Sequence, residues 1–277
     1  MRYKNCMIPI LFGYGSVFDI DDLKLQSVFN HDNLENIISV LIKNGTKLYK
    51  KGKRKVCMTL YGSTMGVSQT PRIVVKGKVE YIPRPYTRSK PSSKWLKRIH
   101  MEDNLVYLVQ YLDRFALQYL EVLFHTELWS REIYNCLLDS KKYIPSSCRI
   151  FDTSFKFMSV NGDMKDSQDG ISLHIDEDDC FNIVIHIGKC TKGGSTIYVN
   201  TRSNNIDMKT PFQNGQIQIG CFSEVLHGTE PWIGQRCSIN LGLKRNVLNH
   251  FKSYGTKYFH YVSDNNFECP NIKHFFS

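Results

Sequence analysis

Between residues 104 and 124 the apolar positions recur at steps of three and four. Leu105, Leu108, Val109, Leu112, Phe115, Ala116, Tyr119, Leu120 and Leu123 fall on one face, the spacing of an amphipathic helix. A second helix is predicted from Ser130, an N-capping residue type, to Leu138, with Pro145 closing the helical region. Residues 33–44 read as a shorter helix ended by Asn44-Gly45. Residues 47–61 alternate weakly around a Lys/Arg-rich centre and read as a basic hairpin. Residues 72–81 place β-branched residues on both sides of Lys76-Gly77, a clearer hairpin. Pro83, Pro85 and Pro91, interleaved with Arg84, Arg88 and Lys90, mark a connector.

From residue 148 the period changes to two. Residues 155–160, 171–175, 181–187, 195–199, 216–219 and 237–241 alternate as strands do, separated by turn signals such as Gly162-Asp163, Gly193-Gly194 and Asn214-Gly215. Many short strands at this spacing predict a sandwich or barrel, with the two helices before it on an outer face. The class is α+β, mainly β. Residues 1–90 form a basic N-terminal extension or subdomain, and residues 91–277 a second domain with its core at about 148–245.

The chain has 277 residues, 42% of them hydrophobic, enough for one large core. No stretch reaches the roughly 18 to 20 apolar residues of a membrane span, and the N-terminus does not read as a signal peptide. Nine Cys without a C-x-x-C pair exclude a zinc-finger or disulfide framework and predict a reducing intracellular setting with most thiols buried. The net charge of +10 is uneven. Residues 1–100 hold 19 Lys/Arg against 6 Asp/Glu, and no acid occurs between Glu35 and Glu80. Either a polyanionic partner or a solvated basic face follows from this. Lys50, Lys51, Lys53, Arg54 and Lys55, with Tyr49 and Tyr61 nearby, are the candidate contacts to DNA or RNA.

Candidate chemistry starts from three His-x-acid pairs, His100-x-Glu102, His125-x-Glu127 and His174-x-Asp176. The first two lie in or beside helices, where residues two apart do not share a face. On a strand they do, so His174 and Asp176 can hold one cation. His227, before Gly228, is the leading third ligand, and His186 is the alternative. Two His and one carboxylate make the facial triad of non-heme iron(II), with coordination positions left for other molecules. Arg236 and Ser238 also share a strand face and can grip a carboxylate through a guanidinium fork and a hydroxyl.

The ordered set His174-x-Asp176, His227, Arg236-x-Ser238 resembles the iron(II)- and 2-oxoglutarate-dependent dioxygenases. Residues 215–244 are similar to that family's closing strands, and Gly193-Gly194 to its turn between the metal motifs. The resemblance covers about residues 148–245 and implies a double-stranded β-helix, or jelly-roll, core. It further implies iron(II) held by His174, Asp176 and His227, and O2 and 2-oxoglutarate as co-substrates. The far carboxylate of 2-oxoglutarate would meet Arg236 and Ser238, with Asn161 beside it, and its decarboxylation to succinate and CO2 would accompany oxidation of a substrate C–H bond. Gly242 stands where AlkB-type demethylases carry a second Arg. The His174-x-Asp176-x-x-Asp179 form and the run 157–161 look most like the Tet/J-binding-protein-like branch, which oxidises a methyl group on a nucleic-acid base. The alternative reading is a hydroxylase of a protein or small molecule.

Overall fold

A computed structural model describes residues 11–13, 28, 30–43, 57–62, 64–66, 72–75, 78–81, 84–86, 103–125, 127–143, 150–155, 157–163, 165–176, 179–199, 206–223 and 225–254. Strand β1 (Leu11–Gly13) and helix α1 (His31–Lys43) come first. Five short strands follow: β2 (Cys57–Gly62), β3 (Thr64–Gly66), β4 (Arg72–Val75), β5 (Lys78–Tyr81) and β6 (Arg84–Tyr86). Helices α2 (Asp103–Val122) and α3 (Leu128–Tyr143) lead into the strand-rich half. Its strands are β7 (Phe157–Asp163), β8 (Ile171–His174), β9 (Asp179–Ile187), β10 (Cys190–Gly193) and β11 (Thr196–Val199). They continue as β12 (Ile206–Thr210), β13 (Gln216–Gly220), β14 (Leu226–Thr229), β15 (Trp232–Gly234) and β16 (Arg236–Lys244), before helix α4 (Arg245–Tyr254).

Two antiparallel sheets carry the architecture. The larger has the order β1-β13-β9-β16-β7-β2, and the smaller β12-β11-β14-β8. They face each other across a pocket, and Tyr198 of β11 donates from its hydroxyl to Gln218 Oε1 of β13 at 2.8 Å. This is a double-stranded β-helix arrangement with flanking helices. The large sheet is buried on both faces: every residue of β9 is buried, as are the first eight of β16. One face presents Ile217, Ile219, Ile183, Ile185, Ile239, Leu241, Met158 and Val160, which join the apolar stripes of α1 and α2 in one core. Each such side chain contributes about 1.5–3 kcal/mol on full burial. The other face is polar. Cross-strand register aligns Gln216, His186, Ser238 and Asn161 in one row, and Gln218, Val184, Asn240 and Ser159 in the next.

Polar contacts also tie the helices to each other and to the segment that leads into β7. Asp113 of α2 accepts a hydrogen bond from the Ser154 backbone N–H at 3.0 Å and pairs with Lys141 of α3 at 3.5 Å. The expected helix over 104–124 and the hairpin over 72–81 are present as α2 and the antiparallel pair β4–β5. Ser130 does not cap α3. The helix starts two residues earlier and runs on to Tyr143, and the buried Ser130 hydroxyl donates to Leu120 O at 2.6 Å, tying α3 to α2. Lys141 and Lys142 in the last turn of α3 suit its partial negative charge.

Strands β10, β12, β14 and β15 add to those expected. Polar or glycine-containing stretches such as Leu226-His-Gly-Thr and Cys190-Thr-Lys-Gly carry too little alternation to stand out. Five described cysteines are free thiols. Cys136, Cys180, Cys221 and Cys237 are buried, and Cys190 is half-buried. No described helix is long and apolar enough to cross a membrane.

Candidate active site

His174 ends β8, and Asp176 follows two residues later. His227 sits on the neighbouring strand β14, directly opposite His174 in the pairing register. Backbone pairing therefore brings together residues 53 positions apart in the chain. Their candidate ligand atoms all lie within 4.8 Å of one another. Asp176 Oδ1 is 3.5 Å from His174 Nε2, and Oδ2 is 3.7 Å from His227 Nε2. The Asp176 backbone N–H donates to Phe222 O at 3.0 Å, and the Phe222 ring lies 4.9 Å from that of His227.

Ring tautomers follow from the other nitrogens. His174 Nδ1 is 2.8 Å from Ser172 O, and His227 Nδ1 is 2.9 Å from Val225 O. A carbonyl can only accept, so Nδ1 carries the hydrogen and Nε2 keeps a bare lone pair turned toward Asp176. Burial, and then the neighbouring His174, hold the His227 imidazole down to about 3, so it is neutral near pH 7. Burial raises the Asp176 carboxyl, against the attraction of His174 and Lys244. Two bare imidazole nitrogens and one carboxylate converging on an open pocket fit a divalent iron ion with free coordination positions. His186, the alternative third ligand, lies outside this cluster.

At the other end of the pocket stands Arg236 on β16, 1% exposed. Its Nε donates to Gly194 O at 3.0 Å, Nη1 to Ser238 Oγ at 3.0 Å, and Nη2 lies 3.4 Å from His186 Nδ1. Trp232 and Phe212 flank the guanidinium at 5.6 and 5.8 Å. Arg236 owes its place partly to Gly194, which turns the chain after β10 with φ +71°. Burial lowers the guanidinium to about 10, which still leaves it charged at neutral pH. No carboxylate among the described residues pairs with it. A buried cation without an anion is costly, and two of its five N–H groups remain for a ligand.

His186 stands beside Arg236 in this pocket, a place that the sequence alone does not reveal. Its Nδ1 is 3.0 Å from Ser238 Oγ and accepts from Arg236. Nε2 then carries the hydrogen, and it is buried with the Gln218 side chain near it. Burial, helped by the Arg236 cation, lowers this imidazole to about 3. The site therefore adds a third donor beside the guanidinium, which fits a carboxylate. A signal was available: on β9, Asn182 and His186 share one face of a run otherwise made of Ile, Val and Phe. Asn161, on β7 opposite Ser238, lines the same pocket. That pocket encloses about 460 Å3, including its open mouth. Lys50, Lys51, Lys53, Arg54 and Lys55 lie outside the described residues.

No family model and no curated protein matches the sequence. Solved structures do match the fold. One is NgTET1 in complex with 5mC DNA, at 13% identity and a TM-score of 0.52, covering 86% of this chain and 73% of that one. Another is OsALKBH1, at 14% identity and TM-score 0.40, covering 87% and 100%. An oxidoreductase of the 2OG-Fe(II) oxygenase family from Burkholderia pseudomallei matches at 21% identity and TM-score 0.27, over 33% of this chain and 43% of that one. With its His-Asp-His cluster set between two antiparallel sheets, the chain has the fold of the 2OG-Fe(II) oxygenases.

Proposed function

We propose that this protein is an iron(II)- and 2-oxoglutarate-dependent dioxygenase that oxidises a methyl group on a nucleic-acid base. The observation that carries the co-substrate reading is Arg236. It is a buried cation without a carboxylate partner among the described residues, at the far end of the pocket from three converging metal-ligand side chains. His174, Asp176 and His227 would hold the iron, which when bound activates O2 together with the 2-oxo acid. The protein's own residues bind and orient. Arg236, Ser238 and the His186 Nε2–H hold the far carboxylate, and Asn161 adds a polar group beside it. Trp232 and Phe212 keep water from the guanidinium and so strengthen its grip.

The substrate class rests on two supports. Residues 1–100 carry 19 Lys/Arg against 6 acids, a match for phosphates. The fold also resembles that of NgTET1, which was solved with 5mC DNA. A base within a duplex would have to leave the stack to reach a pocket between two sheets. The test is mass spectrometry of nucleosides after incubating methylated DNA with the protein, iron(II), ascorbate, O2 and 2-oxoglutarate. Oxidised methyl nucleosides are expected. Succinate formation stimulated by a peptide or small molecule, with DNA unchanged, would transfer the activity to a protein or small-molecule hydroxylase.

A further inference from the structure

A buried polar chain runs beside the pocket. Lys244, at the end of β16, pairs with Oδ1 of Asp179. The other oxygen, Oδ2, accepts from Asn182 Nδ2 at 2.8 Å. The same Nδ2 donates to Asn240 Oδ1 at 3.1 Å. Asp179 and Asn182 are buried, and Asn240 is 6% exposed.

Two acceptors on one nitrogen fix the Asn182 amide, because only its NH2 carries two hydrogens. Asn240 must then turn its oxygen to Asn182 and its NH2 the other way. Asn240 lines the pocket together with Asp176, His227 and Gln218. Its NH2 has no hydrogen-bond partner among the described residues.

Position along β16 decides what this donor can reach. Arg236, Ser238 and Asn240 occupy alternate residues of one strand face, so Ser238 and Asn240 are about 7 Å apart. The carboxylate carbons of extended 2-oxoglutarate are separated by four C–C bonds, about 5 Å end to end. A molecule anchored at Arg236 and Ser238 and lying along β16 presents its oxo-acid end to Asn240.

We propose that the Asn240 amide binds the oxo-acid end of 2-oxoglutarate, and that Lys244 and Asp179 are positioning residues that act through Asn182 to hold that amide in the donating orientation. This rests on the oxygenase reading given above. The arrangement gives Asp179 a purpose that its place in the His174-x-Asp176-x-x-Asp179 motif does not explain. Its backbone also closes the loop after the metal carboxylate: its N–H donates to Asp176 O at 3.2 Å, and its carbonyl accepts from Cys221 Sγ at 3.5 Å and from Ser223 Oγ.

The test is anaerobic titration of 2-oxoglutarate into the iron(II)-loaded full chain, followed by the visible charge-transfer absorption of the chelated oxo acid. Cobalt(II) affinity, measured on the same preparations, reports folding and the metal ligands. Asn240→Ala is expected to keep its cobalt affinity and bind 2-oxoglutarate about tenfold more weakly, the scale of one hydrogen bond to a charged group. Asn240→Asp keeps the shape, puts a charge in place of the NH2, and is expected to lose more. It carries the test if the alanine variant does not fold. Asp179→Asn, outside the pocket, is expected to weaken 2-oxoglutarate severalfold and to alter the absorption band. A wild-type chain that binds cobalt and no 2-oxoglutarate overturns the oxygenase reading and this inference with it. Wild-type binding that is unchanged in both Asn240 variants overturns this inference alone. A loss in the Asn240 variants with none in Asp179→Asn overturns the positioning role.

Discussion

His174 and His227 each give Nδ1 to a backbone carbonyl two residues back, Ser172 and Val225, and thereby reserve Nε2 for a ligand. His174→Ala is expected to lower cobalt(II) affinity by more than about a hundredfold, beyond what loss of an outer partner costs. Isothermal titration at pH 7.5 reads this directly. His186 is a different kind of histidine, held neutral inside the anion pocket. Its folded value of about 3 lies below the roughly 6.5 of an unfolded chain. The unfolded state therefore takes up the proton first as pH falls. The stability from a neutral His186 is fully present above about pH 6.5 and is lost progressively as pH drops toward 3. His186→Gln keeps a polar side chain without titrating. The stability advantage of the wild type over this variant is expected to shrink by about 1 kcal/mol between pH 7 and pH 5.5. Urea unfolding at the two pH values measures it, and a constant difference would show that His186 is not held neutral.

At the scale of elements, the turn from β10 to β11 connects the backbone to the chemistry. A Cβ on Gly194 would lie 2.8 Å from Cys190 Sγ, 3.2 Å from Arg236 Cδ and 3.3 Å from Trp232 Cβ, at a backbone φ of +71°. Gly194→Ala should therefore push on the Arg236 side chain while straining its own backbone, which costs about 1–2 kcal/mol. Thermal unfolding should show that loss, and 2-oxoglutarate affinity should fall while cobalt affinity holds. The sequence made part of this legible. Strand β9 stood out through Ile183-Val184-Ile185 and its alternating neighbours, and β16 through the alternation of Cys237 to Leu241, and the five site residues followed once strand phase put His174 with Asp176 and Arg236 with Ser238. Strand β14 was hidden because Leu226-His-Gly-Thr spends its positions on a ligand and on close backbone packing. The Gly228 Cβ position lies 2.7 Å from Ile171 O. The roles of His186, Gln218 and Asn240 were hidden for another reason. Each becomes a pocket residue only through cross-strand register, which joins positions 30 to 56 residues apart.

For the whole molecule, charge is unevenly divided along the chain. The positive excess in residues 1–100 predicts salt-sensitive binding of duplex DNA by the full chain. If Lys50, Lys51, Lys53, Arg54 and Lys55 contact phosphates, changing all five to Gln should flatten the slope of log affinity against log salt by about 4 to 5. Fluorescence anisotropy over a salt series checks this, and an unchanged slope would place the contacts elsewhere. The candidate metal ligands, by contrast, lie on the small sheet and just after its strand β8, and His174 sits on the rim. Strand β8 is the edge of that sheet, with β14 as its strand neighbour and with Ser172, Leu173 and Ile175 exposed around His174. Peeling away four residues releases one ligand while the large sheet and its helices stay intact. An ion held at this rim is expected to leave and return without global unfolding, which release by a chelator followed by circular dichroism would check.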